Sequence, residues 1–228
     1  MDVKVNILSA FVNSENEFGN PVGVVLDEKQ ELSSEDRQKV AAKIDFSETV
    51  FIDSSGYNKT TMFNPIKEVK FAGHALIGTS YFVNRVLKKE VSFIDCKGGH
   101  VKTWQESDLT WIEANLEGTP PWKHKEFKTP HEIEHLSTSV ISEFEHTMVW
   151  AWIDKQKGII RARTFAPDWG IPEDQANGSG SMQLASMVGR KIEIKHGDGS
   201  IIYAELLGNN VAKIGGRVVA DKTKVLKI

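Results

Sequence analysis

Residues 73–83, Gly-His-Ala-Leu-Ile-Gly-Thr-Ser-Tyr-Phe-Val, are apolar on nearly every side when wound at 3.6 residues per turn. A helix of that kind cannot lie on a surface. It has to be wrapped by other elements, and the sequence around it supplies mostly strands. The same arrangement recurs further along the chain. Phe63-Asn64-Pro65 precedes Gly73 and its helix, and Phe165-Ala166-Pro167 precedes Gly178 and the small-residue segment from Ser179 to Val188. Each time the order is strand, Phe-x-Pro loop, glycine, helix, which points to two related halves.

The rest of the chain reads mainly as strands. Residues 3–12 and 21–27 form an antiparallel pair across the turn-rich loop from Asn13 to Asn20. Ser33 followed by Glu35 and Asp36 opens a short helix to Ile44. Further strands are expected over 47–53 and 57–64, and again between Val91 and Glu113. Gly118-Thr119-Pro120-Pro121-Trp122 then breaks regular structure, so a boundary falls near 110–122. Two lobes follow, residues 1–112 and 113–228. Residues 123–146 read as polar, with a short helix from Thr129-Pro130. Strands are expected over 148–153, 158–165, 191–195, 201–206 and 211–219, the last free to cross back to the first lobe.

Charge and cysteine content exclude several functions. With 28 basic and 31 acidic side chains the formal net charge is −3, and the lysine pairs are short and mixed with acids, so nucleic acid is not an expected partner. No apolar run approaches the roughly 20 residues that span a bilayer, and the alternating start from Met1 to Leu8 reads as a first strand rather than a signal peptide. A cytoplasmic location is expected. The single Cys96, in a strand end ahead of Gly98-Gly99, can form no internal disulfide and cannot take part in catalysis by two opposed thiols. It reads as structural.

Chemistry gathers at the two glycines. The exposed N–H groups at a helix start, with the positive end of its dipole, suit a carboxylate or another anion. The small residues Ala72, Gly73, Gly178, Ser179 and Gly180 let a ligand come close to the backbone. His74 sits on the first helix start, Glu173 and Asp174 precede the second, and Glu48 interrupts an apolar run before Val50-Phe51-Ile52. A carboxyl group in a closed apolar cleft holds its proton to higher pH, so Glu48 could both take and return a proton near neutrality.

These segments resemble the PhzF-like proteins of phenazine biosynthesis, which are related in fold to diaminopimelate epimerase. The resemblance rests on Phe18-Gly19-Asn20-Pro21-Val22-Gly23-Val24-Val25, Ser47-Glu48-Thr49-Val50-Phe51, Phe63-Asn64-Pro65 with Glu68-Val69, Gly73-His74-Ala75, and Arg163-x-Phe165-x-Pro167 leading to Gly170-Ile171-x-Glu173-Asp174-x-Ala176-x-Gly178-Ser179. It implies an α/β (α+β) fold of two pseudo-symmetric lobes, each a curved mixed sheet around a central helix, with the active site between them in a homodimer. It also implies an isomerase or epimerase with no metal or organic cofactor, acting on a small carboxylate-bearing metabolite. By position Glu48 would shuttle the proton, with His74, Asp174 and Ser179 orienting or polarising the substrate. Gly73, Ala75, Gly178, Gly180 and Asn20 would bind it. The chain departs from the family pattern at Leu76, Gln175 and Asn177, and is shorter around residues 105–150, which leaves the substrate unnamed.

Two other functions compete with this one. The same shape could bind a small anion without turnover. His131-Glu132-Ile133-Glu134-His135 matches the H-E-x-x-H pattern of zinc metalloproteases. The extended pattern fails at Thr138 and Ile141, so the motif reads as a solvated surface helix without a metal.

Overall fold

A computed structural model describes all residues from Met1 to Ile228. The first half contains β1 (Asp2–Val12), β2 (Asn20–Leu26), α1 (Ser34–Ile44), β3 (Glu48–Ile52), β4 (Thr60–Phe63), β5 (Glu68–Val69), α2 (Gly73–Tyr81), β6 (Phe93–Cys96), β7 (Gly99–Glu106) and β8 (Leu109–Asn115). The second contains β9 (Lys123–Glu126), α3 (Pro130–Glu134), α4 (Thr138–Ile141), β10 (Thr147–Asp154), β11 (Ile159–Ala166), β12 (Ile171–Asp174), α5 (Gly178–Val188), β13 (Ile192–His196), β14 (Ser200–Gly208) and β15 (Val211–Lys227).

Strand pairing shows how far the repetition extends. In the first half a parallel pair, β2 and β3, flanks α1; in the second a parallel pair, β9 and β10, flanks α3 and α4. Each is followed by a hairpin, a short antiparallel strand, a glycine-led helix and a three-strand meander. The halves are joined through β15. Its residues Val211–Arg217 lie against β8, and the start of the same stretch also pairs with β14, whereas Arg217–Lys227 pair with β1. The strand was expected to end at 219. It continues because, past an irregularity in register at Asp221 and Lys222, exposed Thr223, Lys224 and Val225 still have the β1 backbone to pair with.

The sequence also misplaced residues 123–146. Lys123–Glu126 form β9, in parallel register with Thr147–Trp150, and the segment described above as polar buries Ile133 and Phe144 against Val149, Ala151 and Phe165. On α3, His131 and His135 lie on one side with stacked rings, and Nδ1 of His135 faces the His131 carbonyl.

Helix α1 begins as its sequence indicated. Ser33 Oγ accepts from the Asp36 N–H and the Asp36 carboxylate accepts from the Ser33 N–H, a reciprocal cap. Helices α2 and α5 are different. Every residue of α2 from Gly73 to Ser80 is buried, and the helix packs on β1, β2, β3, β7, β8 and β15. Helix α5 is buried from Gly178 through Ala185 except at Gln183, and packs on β14 and β15. One continuous apolar core surrounds both helices, with Leu76 and Ile77 of α2 and Met182 and Leu184 of α5 in it.

The two helix starts meet. A methyl group added at Gly73 would lie 3.0 Å from the Gly178 Cα, one added at Gly178 would lie 3.0 Å from the Gly73 Cα, and both would press on the Ile214 Cδ1 at 2.9 and 2.8 Å. Ile214 could turn aside, but the facing backbone could not. Gly73→Ala and Gly178→Ala should each destabilise the fold by about 1–3 kcal/mol, the usual cost of overpacking, lowering Tm by roughly 2–12 °C for a chain of this size. Ile214→Val should restore little of the loss. Calorimetry on the single and double variants checks this, and a full rescue by Ile214→Val would show that the glycine contact is not the constraint.

Candidate active site

Glu48 opens β3, opposite Val22 of β2, and its side chain keeps 13% of its surface exposed. That opening faces a cleft of about 700 Å³. The cleft is bounded by Phe71–His74, by Gly118–Trp122, by Trp169 and Gly170, and by Asp174 and Asn177–Ser179. Glu48, His74, Asp174 and Ser179, with both glycines, therefore share one cavity between the two helix starts.

Burial sets the electrostatics. Desolvation raises the Glu48 carboxyl to about 8, with a further push from the negative charge of Asp174. Asp174 is raised to about 6, again mainly by desolvation, but hydrogen bonds hold the rise in check. Its Oδ1 accepts from Asn20 Nδ2 at 2.6 Å and from the Ala176 N–H at 3.3 Å, and its Oδ2 accepts from Asn177 Nδ2 at 2.9 Å. Desolvation lowers His74 to about 3. At neutral pH the site thus holds a protonated Glu48, an ionised Asp174 and a neutral imidazole. His74 Nε2 lies 3.1 Å from Glu48 Oε2 without the alignment of a hydrogen bond, so this contact is not an ion pair.

The helix starts are also left open to an anion. Ala72 offers α2 no side-chain cap, and neither α2 nor α5 has an acidic residue in its first turn. Asn177 caps α5 with its Oδ1 on the Gly180 N–H at 2.6 Å while its amide holds Asp174. Ser179 is 4% exposed, and its Oγ accepts from the Trp122 indole N–H at 2.8 Å.

Not every residue named from sequence reaches the cleft. Asn20 bonds to Asp174 and to the Ala176 carbonyl, joining β2 to the end of β12. Ala75 is wholly buried in the core around α2. Gly180 is packed against Asn177 and Met148, where a side chain would have no room. Sequence reasoning missed Trp122 and Trp169, whose rings are 4.9 Å apart on the cleft wall, with His146 stacked on Trp169 at 4.6 Å. It also missed Asn177, although an Asn directly before a glycine-led helix is a cap signal. Cys96 lies at the end of β6 with its Sγ toward the Gly99 carbonyl, and burial raises its thiol.

The family model described as phenazine biosynthesis-like protein, PhzC-PhzF, matches residues 8–152, more than half of the chain. The chain belongs to this family. The trans-2,3-dihydro-3-hydroxyanthranilate isomerase of Pseudomonas aeruginosa is 26% identical to it, over 84% of this chain and 81% of that protein. Among solved structures, a PhzF-family protein of Enterococcus faecalis superposes with a TM-score of 0.83 at 18% identity, covering 100% of both chains. A hydroxyproline epimerase from Agrobacterium vitis, with trans-4-hydroxy-L-proline bound, superposes at 0.66 with 10% identity, over 99% of this chain and 92% of that one. These likenesses establish the PhzF and epimerase fold.

The titrations predict opposing stability effects. Glu48 would ionise near 4.5 in the unfolded chain and near 8 in the folded one, so the folded state holds the extra proton between these values and loses stability as pH rises through them. Buried His74 and His196 act in reverse. Unfolded, they take a proton below about 6.5, but folded they refuse it until about 3, so stability is lost as pH falls. Glu48→Gln removes only the first effect. In urea denaturation it should match the wild type below about pH 4 and exceed it by up to about 5 kcal/mol near pH 9. A difference independent of pH would mean that Glu48 titrates as an exposed carboxylate.

Proposed function

We propose that this PhzF-family protein is an isomerase or epimerase that moves a proton on a small carboxylate-bearing metabolite, with Glu48 as the acid–base group. The carrying observation is the convergence of Glu48, raised to about 8, with two glycine-led helix starts on one cleft, of which α2 has no side-chain cap. A curated relative that spans most of the chain is named as an isomerase, which supports the same class of reaction.

In this mechanism the substrate carboxylate rests against the N–H groups around Gly73 and Gly178–Ser179. The ionised Glu48 carboxylate removes a proton from a carbon beside an electron-withdrawing group. The electron pair left behind spreads into that group, where the helix starts stabilise the negative charge. Glu48, now a carboxylic acid, returns the proton to a second carbon, and the composition of the substrate is unchanged. Acid–base help of this kind contributes roughly 10²- to 10⁴-fold. Neutral His74 stands beside the Glu48 carboxyl without adding a charge, and Asp174, fixed by Asn20 and Asn177, keeps the Glu48 proton affinity high. Every proton transfer uses a side chain of the protein, so the proposal needs no metal or organic cofactor. The homodimer that the resemblance implies is part of the same proposal.

Incubating candidate amino and hydroxy acids in D₂O tests the reaction class. Wild-type protein should place solvent deuterium on carbon in at least one acid, and Glu48→Gln should lower that rate by about 10²-fold or more. The wild-type kcat/KM should rise about tenfold per pH unit and level off near pH 8, and Asp174→Asn should move the bend to lower pH. Equal exchange by wild type and Glu48→Gln would remove Glu48 from its role. Tight binding of small acids with no exchange would leave an anion-binding module.

A further inference from the structure

The Trp122 side chain, on the cleft wall, is hydrogen-bonded to a polar atom of the site. Its indole N–H is a donor only, and it donates to Ser179 Oγ at 2.8 Å. A serine hydroxyl has one hydrogen to give and two lone pairs to receive with. Once the indole has taken a lone pair, the Ser179 hydrogen must point elsewhere, and the hydroxyl donates to no other group of the chain. Ser179 lines the cleft and is 4% exposed, so a ligand group there that only donates would leave that hydrogen without a partner.

The indole is held from other sides as well. Gln183 sits one turn after Ser179 on the same face of α5. Its Oε1 accepts from the Trp122 backbone N–H at 3.3 Å, and its Nε2 donates to Thr119 Oγ1 at 2.8 Å and to the Pro120 carbonyl at 2.7 Å. Trp169 packs on the ring at 4.9 Å. Segment 119–122 is thus fixed to the helix whose first turn carries Ser179, and the indole N–H has little freedom to leave its acceptor.

We propose that Trp122 is a positioning residue that commits the Ser179 hydroxyl to donating, and so makes the cleft select ligands that present an acceptor there, an anionic one most strongly because a charge-assisted hydrogen bond is about twice as strong as a neutral one. This rests on the carboxylate-binding function proposed above and assigns to Trp122 the choice between an acid and its neutral isostere.

Benzoate and benzamide are suitable probes, because both would meet the Phe71, Trp122 and Trp169 walls and they differ at the group that Ser179 would touch. Calorimetric titration of wild type, Trp122→Phe, Ser179→Ala and the double variant gives the ratio of benzoate to benzamide affinity in each. A damaged wall would weaken both probes and leave the ratio unchanged. Wild type should prefer benzoate, each single variant should reduce that preference by about threefold to tenfold, and the double variant should be no worse than Ser179→Ala alone. A ratio unchanged in Trp122→Phe but reduced in Ser179→Ala would overturn the role of Trp122 and leave the carboxylate site standing, as would effects that multiply in the double variant. Equal affinity for the two probes in all four proteins would overturn the carboxylate site itself.

Discussion

Two helix starts can approach to backbone contact only where neither carries a side chain, and Gly73 and Gly178 meet that condition from opposite halves of the chain. Their contact fixes the distance between α2 and α5. It also places the open N–H groups of both helices on one cavity, and Ile214 of β15 closes the space behind them. Two of the cleft's hydrogen bonds cross near this point. Asn20 reaches Asp174 across it from β2, and Trp122 reaches Ser179 from the segment that links the halves.

The same closeness produces the unusual charge states. A carboxyl on an open surface would lose its proton well below neutrality, but Glu48 is surrounded by core on most sides and has the charge of Asp174 nearby. Two ionised carboxylates in so small a volume repel, and the one with fewer hydrogen bonds keeps the proton. Asp174 has donors from Asn20, Asn177 and the Ala176 backbone. Glu48 has only the poorly aligned His74. The division of roles between a proton carrier and a fixed negative charge therefore follows from desolvation of both acids, checked by hydrogen bonds at Asp174 alone.

Much of this was legible in the sequence, for a physical reason. A helix apolar on all sides must be wrapped, so Gly73–Val83 announced a central helix, and its echo at Gly178 announced the second half. Glu48, His74, Asp174 and Ser179 stood out because polar groups next to buried small residues need an explanation. What stayed hidden depends on contacts between distant segments. Nothing in Trp122 reveals that its partner is Ser179. The extension of β15 depends on β1 offering an edge to Thr223–Lys227, where exposed Thr223, Lys224 and Lys227 on their own suggest solvent. Ala75 and Gly180 were grouped with the site because they adjoin its glycines, yet helical rotation turns them into the core. Periodicity identifies a buried helix, but in one apolar all round it cannot say which side faces a ligand.

The central claim is that Glu48 carries its proton at neutral pH because it is enclosed beside Asp174. Carbon-13 NMR of protein labelled at the glutamate carboxyl carbon reads this directly, with Glu48→Gln assigning the signal. One resonance should remain in the protonated position at pH 7, titrate near pH 8, and move to lower pH in Asp174→Asn. If the resonance lost in Glu48→Gln titrates near 4.5 with the other glutamates, the enclosed carboxyl does not exist and the mechanism built on it fails.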